Sequence, residues 1–192
     1  MQTEQSGMVD KVRDAIVATV KGTGDIVQAT VNTIAQTLAT TIKGTGKVGT
    51  SATDAIADVA SGAIRGTMQV GGDLGHAAKG IVVGVLRGTK ATGTEALATI
   101  SHTAHVTIQD TAEVSGDLGT AATGLVEGAI EGAKELGISV EDAASAVADG
   151  ALEAAGKVGS TAVETVRKAV TKSSHNANVA LKQPEIAVSE KK

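Results

Sequence analysis

The tetrapeptide Ile42-Lys-Gly-Thr45 belongs to a series that recurs every 22 residues. Close and then weaker copies occupy Val20–Thr23, Ile64–Thr67, Leu86–Thr89, Ile108–Thr111, Ile130–Ala133 and Leu152–Ala155. A second marker, Gly-Asp-Leu-Gly, occurs at 72–75 and again at 116–119, two intervals later. A constant interval of this length predicts a chain built from repeated structural units.

Each 22-residue interval divides into two units of eleven, and fifteen such units run from Val9 to Ser173. Apolar residues prefer positions 1, 4, 7, 8 and 11, whereas position 2 is mostly charged. Eleven residues in three turns is about 3.67 per turn, close to the period of an α-helix, so these positions share one face. The pattern predicts an all-α protein in which residues 9–173 form one long, nearly straight helix of about 250 Å.

On this interpretation residues 1–8 form a frayed start and residues 174–192 a flexible tail containing Pro184, the one proline. An interruption is the less favoured alternative, since a loop would disturb the phase. Ser139 and Asp142, just after Gly137, do resemble a helix stop and restart. The predicted apolar face comprises Ile42, Val48, Ile64, Val70, Leu86, Ile108, Val114, Ile130, Leu136, Leu152 and Val158.

Glycine is the most informative part of the composition, with 24 in 192 residues. Each glycine costs about 1 kcal/mol relative to alanine inside a helix, so a solitary helix of this kind would be unstable in water. The glycines are phased, which favours close approach of neighbouring helices. The predicted packing positions are Gly49, Gly71, Gly93, Gly137 and Gly159 within the apolar arc, and Gly22, Gly44, Gly66, Gly88 and Gly132 at its edge.

Large side chains are missing: the chain has no Phe, Tyr, Trp or Cys. A compact enzyme is therefore not expected, because aromatic residues dominate ordinary cores. The absence of cysteine excludes disulfides and cysteine metal sites. The net charge of −4 argues against nucleic-acid binding, which needs a basic surface.

No catalytic, cofactor or metal site emerges from the motifs. Gly44-Thr-Gly-Lys47 lacks the spacing of a phosphate-binding loop. His102 and His105 are one helical turn apart, but no third ligand completes a metal site. Glu131 and Glu135 form an acid pair for which a solvated helix face is the expected setting. We therefore expect a protein that is not an enzyme and has no small-molecule substrate.

Charge is distributed unevenly along the repeat. Residues 20–100 contain seven bases and five acids, whereas residues 101–164 contain two bases and eleven acids. Such a gradient favours antiparallel or staggered neighbours, because parallel neighbours in register would align like charges.

The repeat resembles the eleven-residue-repeat helical proteins, which include synucleins, exchangeable apolipoproteins and hendecad coiled coils. The likeness lies in the Lys-Gly-Thr-Gly and Val-Glu-Gly-Ala units and covers residues 9–173. Similarity to synucleins implies a chain that becomes helical on lipid. Similarity to hendecad coiled coils implies self-association.

Two functions follow as expectations. The first is a non-enzymatic structural protein that assembles with its own copies through small-residue helix faces into a bundle, filament or tube. The second is a peripheral lipid-binding protein that is ordered on a membrane or lipid droplet. The N-terminus lacks the features of a signal peptide, and the longest uncharged stretch, Ile26–Ile42, is too short and polar for a confident membrane span. We therefore expect a cytoplasmic protein, with a membrane or lipid surface as a further location.

Overall fold

A computed structural model describes residues 2–23, 25–45, 50–89 and 93–181. The described residues contain eight helices: α1 (Gln2–Thr23), α2 (Ile26–Thr45), α3 (Thr50–Gln69), α4 (Leu74–Thr89), α5 (Gly93–Glu113), α6 (Leu118–Leu136), α7 (Val140–Val158) and α8 (Ser160–Asn176). The all-α prediction is confirmed, but the prediction of one long straight helix is wrong. The predicted limits of the repeat, Val9 and Ser173, fall inside α1 and α8.

Helices α3, α5 and α6 end in the same way. The amide of Gly72 donates to the carbonyl of Thr67 at 2.9 Å, and the amide of Gly116 donates to that of Thr111 at 2.8 Å. This closure requires a left-handed residue just past the helix, a role filled by Gly71 (φ 67°), Ser115 (φ 55°) and Gly137 (φ 67°). Each helix therefore stops where the repeat pattern alone predicts continuation.

The next helix begins at a capping side chain. Asp73 accepts from the amide of His76 at 2.8 Å, and Asp117 accepts from that of Thr120 at 3.0 Å. Asp25 and Ser139 cap α2 and α7 in the same way. Gly-Asp-Leu-Gly is therefore a helix stop followed by a helix start, and the less favoured interruption at Ser139 and Asp142 exists.

The 22-residue interval thus corresponds to one helix and its connection, and two such intervals make up one pair of helices. A connection of a few residues occupies part of the unit without shifting its phase, which explains why the pattern continues unbroken across the turns. The resemblance to synucleins, apolipoproteins and hendecad coiled coils is accordingly wrong, because those patterns describe continuous helices.

The helices form two layers. The odd layer contains α1, α3, α5 and α7, and the even layer contains α2, α4, α6 and α8; helices adjacent within a layer are in contact, and so are helices consecutive in sequence. Partners within a layer run parallel, since Gly80, Gly84 and Gly88 of α4 lie against Thr30, Ile34 and Leu38 of α2 in the same order. Every helix thus packs only on near neighbours, as in helical-repeat proteins.

Glycines make the contacts within a layer unusually close. A methyl group at Gly84 would lie 3.0 Å from Cβ of Ile34, and one at Gly128 would lie 2.7 Å from the carbonyl oxygen of Lys79. Gly62 of α3 and Gly150 of α7 meet α1 and α5 in the same manner. Because the later helix brings its backbone against the earlier one, small side chains suffice to fill the space between them.

The first helix of the even layer departs from this rule. Gly80 follows its capping aspartate by seven residues, as Gly124 does in α6, and the corresponding residue of α2 is Asn32. One and two turns later α2 has Gln36 and Thr40, and all three side chains are exposed. An exposed polar stripe therefore replaces the glycine stripe in α2, before which the described residues contain no other helix of the even layer.

The buried apolar side chains fall into two clusters. One joins α1, α2, α3 and part of α4, with Ile34, Val59 and Ile64 at its centre. The other joins the rest of α4 with α5, α6, α7 and α8, with Ile100, Ile108 and Leu125 at its centre. Helix α4 contributes to both clusters. No helix of the described segments is long and apolar enough to cross a membrane.

A matched pair of glycine substitutions tests the close packing. Gly128→Ala should lower the free energy of unfolding by about 1–3 kcal/mol, because its methyl group meets the backbone of α4. Gly156→Ala, at an exposed helical position with no atom within 4 Å, should raise it by up to about 1 kcal/mol. Denaturant unfolding followed by circular dichroism measures both, and equal effects would contradict the packing described.

The turn after α5 offers a second test. Ser115 holds the left-handed conformation that glycine adopts at Gly71, at a cost of about 1–2 kcal/mol for an L-residue. Ser115→Gly should therefore stabilise the protein by about 0.5–1 kcal/mol, and Gly71→Ser should destabilise it by a similar amount. The Tm of Ser115→Gly should rise and the Tm of Gly71→Ser should fall. A shift of the same sign in both variants would refute this explanation.

Candidate functional site

Eight of the nine described residues of the predicted apolar face are buried or half-buried. Ile64, Leu86 and Ile108 are fully buried. Half-buried positions are Val70, Val114, Ile130, Leu136 and Leu152. Val158 is 49% exposed. Val48 lies outside the described residues, as do the surroundings of Ile42 in α2. The apolar stripe thus meets other helices of the same molecule.

The predicted glycine positions divide into two structural roles. Gly66, Gly88 and Gly132 lie at close contacts with Arg13, Leu38 and Leu86 of the preceding helix in their layer. Gly71, Gly137 and Gly159 lie instead in turns, with φ of 67°, 67° and 146°. Gly49 lies outside the described residues, and so do the surroundings of Gly22, Gly44 and Gly93. Edge glycines therefore pack helices, whereas glycines of the apolar arc separate them.

The most unusual polar group lies between α3 and α5. Asp110 is only 9% exposed, and the hydroxyl of Ser61 donates to its Oδ2 at 2.8 Å. One turn earlier on α5, the buried hydroxyl of Thr107 has no hydrogen-bond partner in the described part of the chain. A buried carboxylate with a single neutral donor is costly to keep ionised.

The electrostatics follow from that setting. Burial raises the pKa of Asp110 to about 6; the nearby carboxylates of Glu113 and Asp58 add to the rise, while Ser61 and Arg65 oppose it. Burial and the neighbouring Asp54 also raise the pKa of Asp58. The α3–α5 contact therefore contains a carboxyl that titrates near neutral pH in a region rich in acids.

A shallow cleft of about 470 Å³ lies beside this contact, between α5 and α7. Its lining includes Ser101, His102, His105, Glu153 and Lys157. Nε2 of His105 lies 3.1 Å from Nζ of Lys157, and Nδ1 lies 3.6 Å from Glu153. Burial lowers the pKa of His105, and the charge of Lys157 lowers it further. His102 turns the other way, with Nε2 3.3 Å from the carbonyl oxygen of Thr53.

These two histidines therefore serve different contacts and do not converge on one point. No group of three or more candidate metal ligands occurs within the described segments. The cleft is open and its polar groups already contact one another. No arrangement of nucleophile, base and oxyanion donors is present among the described residues of this region.

Glu131 and Glu135 are ion-paired within the even layer. Lys79 lies 2.9 Å from Glu131, and Arg87 makes two contacts with Glu135 at 3.0 and 2.5 Å. The hydrogen bonds from Arg87 lower the pKa of Glu135. Arg65 and Glu113 face each other similarly in the odd layer at 3.9 Å. Part of the charge gradient along the sequence is thus matched inside one molecule, where these three bases each meet an acid two helices later.

The two layers differ in charge. The described side chains of the odd layer include eleven acids and only four bases: Asp10, Asp14, Asp54, Asp58, Glu95, Asp110, Glu113, Glu141, Asp142, Asp149 and Glu153 against Lys11, Arg13, Arg65 and Lys157. Those of the even layer include four acids and six bases: Glu127, Glu131, Glu135 and Glu164 against Lys79, Arg87, Lys134, Arg167, Lys168 and Lys172. Among these residues the odd-layer helices therefore carry a strong excess of acids and the even-layer helices a small excess of bases, before the exposed capping residues Asp25, Asp73 and Asp117 of the even layer are counted.

Asp110 and Ser61 were not among the residues selected from the sequence, although a signal for Asp110 exists. Asp110 occupies position 3 of its eleven-residue unit, where Lys11 is the other charged residue and the rest are almost all Gly, Ala or Thr. A charge at a position otherwise filled by small residues marks a helix contact of a different kind. Ser61 carries no comparable signal, because serine and threonine are common throughout the repeat.

Comparisons with known proteins support the fold. No protein-family model matches the chain, and no curated protein matches it. Among solved structures it is similar to the crystal structure of the de novo designed helical repeat protein DHR7, with a TM-score of 0.52 and 17% identity over 93% of this chain and 97% of that one. This likeness shows a helical-repeat fold and nothing about activity.

Substitution of Asp110 should reveal its buried ionisation. Because its pKa is raised in the folded state, its carboxyl favours folding fully below pH 4, and this stability is lost as the pH rises towards about 6. The free energy of unfolding of Asp110→Asn, relative to that of the parent protein, should therefore rise by up to about 3 kcal/mol between pH 4 and 6. The difference should persist above pH 6. Denaturant unfolding from pH 4 to 8 measures the difference.

Glu127→Gln is the matched control, since Glu127 is exposed on α6. The free energy of unfolding of Glu127→Gln should differ from that of the parent protein by the same amount at every pH. A difference between Asp110→Asn and the parent that does not change with pH would mean that Asp110 is ionised normally.

Proposed function

We propose that this chain is a non-enzymatic structural protein that associates with further copies of itself by bringing the acidic helices of its odd layer against the weakly basic helices of the even layer of the next copy. The observation that carries the proposal is the difference between the layers, with eleven acids against four bases on one and four acids against six bases on the other. Surfaces of opposite sign attract in solution and select the orientation of encounter.

The small-residue faces are not available for this association. The glycines of α3, α4, α6 and α7 lie against helices of the same molecule, and Met68 and Val158 are the large apolar side chains exposed in the described segments. An association driven by apolar burial would therefore require the chain to open. Charged surfaces can meet without any such change.

Contact between different faces of identical molecules is heterologous. The odd layer of one copy would meet the even layer of the next, leaving one odd and one even layer free at the two ends. Such contacts continue into open assemblies unless a rotation closes them into a ring. The proposed product is therefore a stack or filament whose length depends on concentration and ionic strength.

Lipid binding is the competing function, and its support is weaker. Burial of the apolar side chains leaves the described helices without the continuous exposed apolar face of an interfacial helix. If lipid binding dominated, circular dichroism would show helix content that depends on vesicles. We expect the same helix content with and without neutral or anionic vesicles.

Sedimentation velocity at about 20 mM and about 500 mM salt tests the proposed association, since screening shortens the reach of charge from about 20 Å to a few ångströms over this range. We expect larger species at low salt and monomer at high salt. Reversing odd-layer acids, by Asp54→Lys, Glu95→Lys, Glu113→Lys and Asp149→Lys, should abolish the larger species, and so should Arg167→Glu with Lys172→Glu in the even layer.

A mixing experiment provides the control. The odd-reversed copy has two basic layers and the even-reversed copy has two acidic layers, so neither should assemble alone. Mixed together at low salt, the two should assemble again, because each offers the other a face of opposite sign. Monomer in the parent protein at low salt and high concentration, or no recovery on mixing, would refute the proposal.

A further inference from the structure

The contact between α3 and α5 is built differently from its neighbours in the odd layer. Helix α3 meets α1 through Gly62 and Gly66, and α7 meets α5 through Gly150. Helix α5 has one glycine, Gly93, and it is the first residue of the helix. The described part of α5 therefore meets α3 without a glycine at the contact.

The same contact is also where the apolar core divides. The buried apolar residues of α3 belong to the cluster shared with α1 and α2, whereas those of α5 belong to the cluster shared with α6, α7 and α8. Val106 of α5 is a partly buried side chain that packs on the N-terminal cluster. Apolar packing across this contact is thus thin, and α4 is the helix that contributes to both clusters.

Polar contacts take the place of that packing. Ser61 bonds Asp110 at 2.8 Å, His102 reaches the carbonyl of Thr53 at 3.3 Å, and Arg65 faces Glu113 at 3.9 Å. Asp110 is the buried member of this set, so the state of its carboxyl decides whether the contact can stay dry. Ionised, it favours entry of water; protonated, it can remain buried and can itself donate a hydrogen bond.

We propose that the α3–α5 contact is a hinge that closes when the carboxylate of Asp110 takes up a proton and opens when it loses that proton. The bodies on its two sides are the N-terminal and C-terminal clusters, joined through α4. The hinge adjusts the curvature of the odd layer. It does not depend on the proposed association between copies.

The charged surroundings of Asp110 are consistent with this direction. Asp58 on α3 and Glu113 on α5 repel its negative form, and Arg65 on α3 is the base that opposes them. The bases of α4 are engaged in the other layer with Glu131 and Glu135. From α7, Glu153 and Lys157 contact His105. Opening the contact would hydrate Asp110 and separate it from Asp58, so loss of the proton favours the open form.

Spin labels can measure the hinge directly, because the chain has no cysteine of its own. Ala15→Cys on α1 and Ala98→Cys on α5 place labels at exposed sites on either side of the contact. At about 0.5 M salt, which keeps copies apart, we expect the distance distribution to lengthen and broaden from pH 5 to pH 8, with a midpoint near pH 6. A second pair within the C-terminal body, at Ala98 and Thr171, should not change.

Two variants and one control variant separate the proposed mechanism from a general effect of pH. Asp110→Asn should keep the short distribution at every pH. Ser61→Ala should move the midpoint to higher pH, because the hydroxyl of Ser61 lowers the pKa of Asp110. Asp149→Asn, on the same layer but away from the contact, should behave like the parent protein.

The label distances test the hinge separately from the association between copies. A distance distribution of the parent protein that does not change between pH 5 and 8 would overturn the hinge. So would a pH response of Asp110→Asn that equals that of the parent protein. A protein that never assembles at low salt would refute the proposed function and leave the hinge standing. Assembly without any change in the label distances would do the reverse.

Discussion

Close approach of helix backbones is the interaction on which the whole structure depends. A chain without aromatic side chains cannot fill wide spaces between helices, so the helices must come near one another. Glycine stripes on α3, α4 and α6, and Gly150 of α7, allow this, since atoms of the earlier helix lie where a Cβ would stand. Stability that other proteins obtain from large side chains is obtained here from short distances between many small ones.

The sequence predicts the helical class correctly but not how the chain is connected. Gly66, Gly88 and Gly132 do lie at helix contacts, but within one molecule. The error lies in the turns. Gly71 and Gly137 satisfy the eleven-residue pattern while adopting the left-handed conformation that ends a helix, and a pattern of apolar positions does not distinguish these two uses of glycine. The capping role of Asp73 and Asp117 was the signal available to correct it.

The candidate site illustrates a different limit. Asp110 stands out in the repeat as a charge at a small-residue position, so the sequence marks it as unusual. Its burial depends on which helix lies opposite, and Ser61 becomes its partner through a contact between residues 49 positions apart. The ion pairs of Lys79 and Arg87 with α6 have the same origin. Such pairings follow from the layer arrangement, which the local pattern does not contain.

The glycine stripes also give the array a direction. Each stripe faces the helix before it in the layer. Helix α2, before which the described residues contain no even-layer helix, has Asn32, Gln36 and Thr40 at the corresponding positions. A copy of an interior helix pair would therefore fit again only in the interior. Its glycines would pack on the earlier helix of each layer, and its larger side chains would pack on the later helix. Gene duplication could therefore lengthen this protein without inventing a new interface, because an added pair would meet its neighbours through contacts that the array already contains.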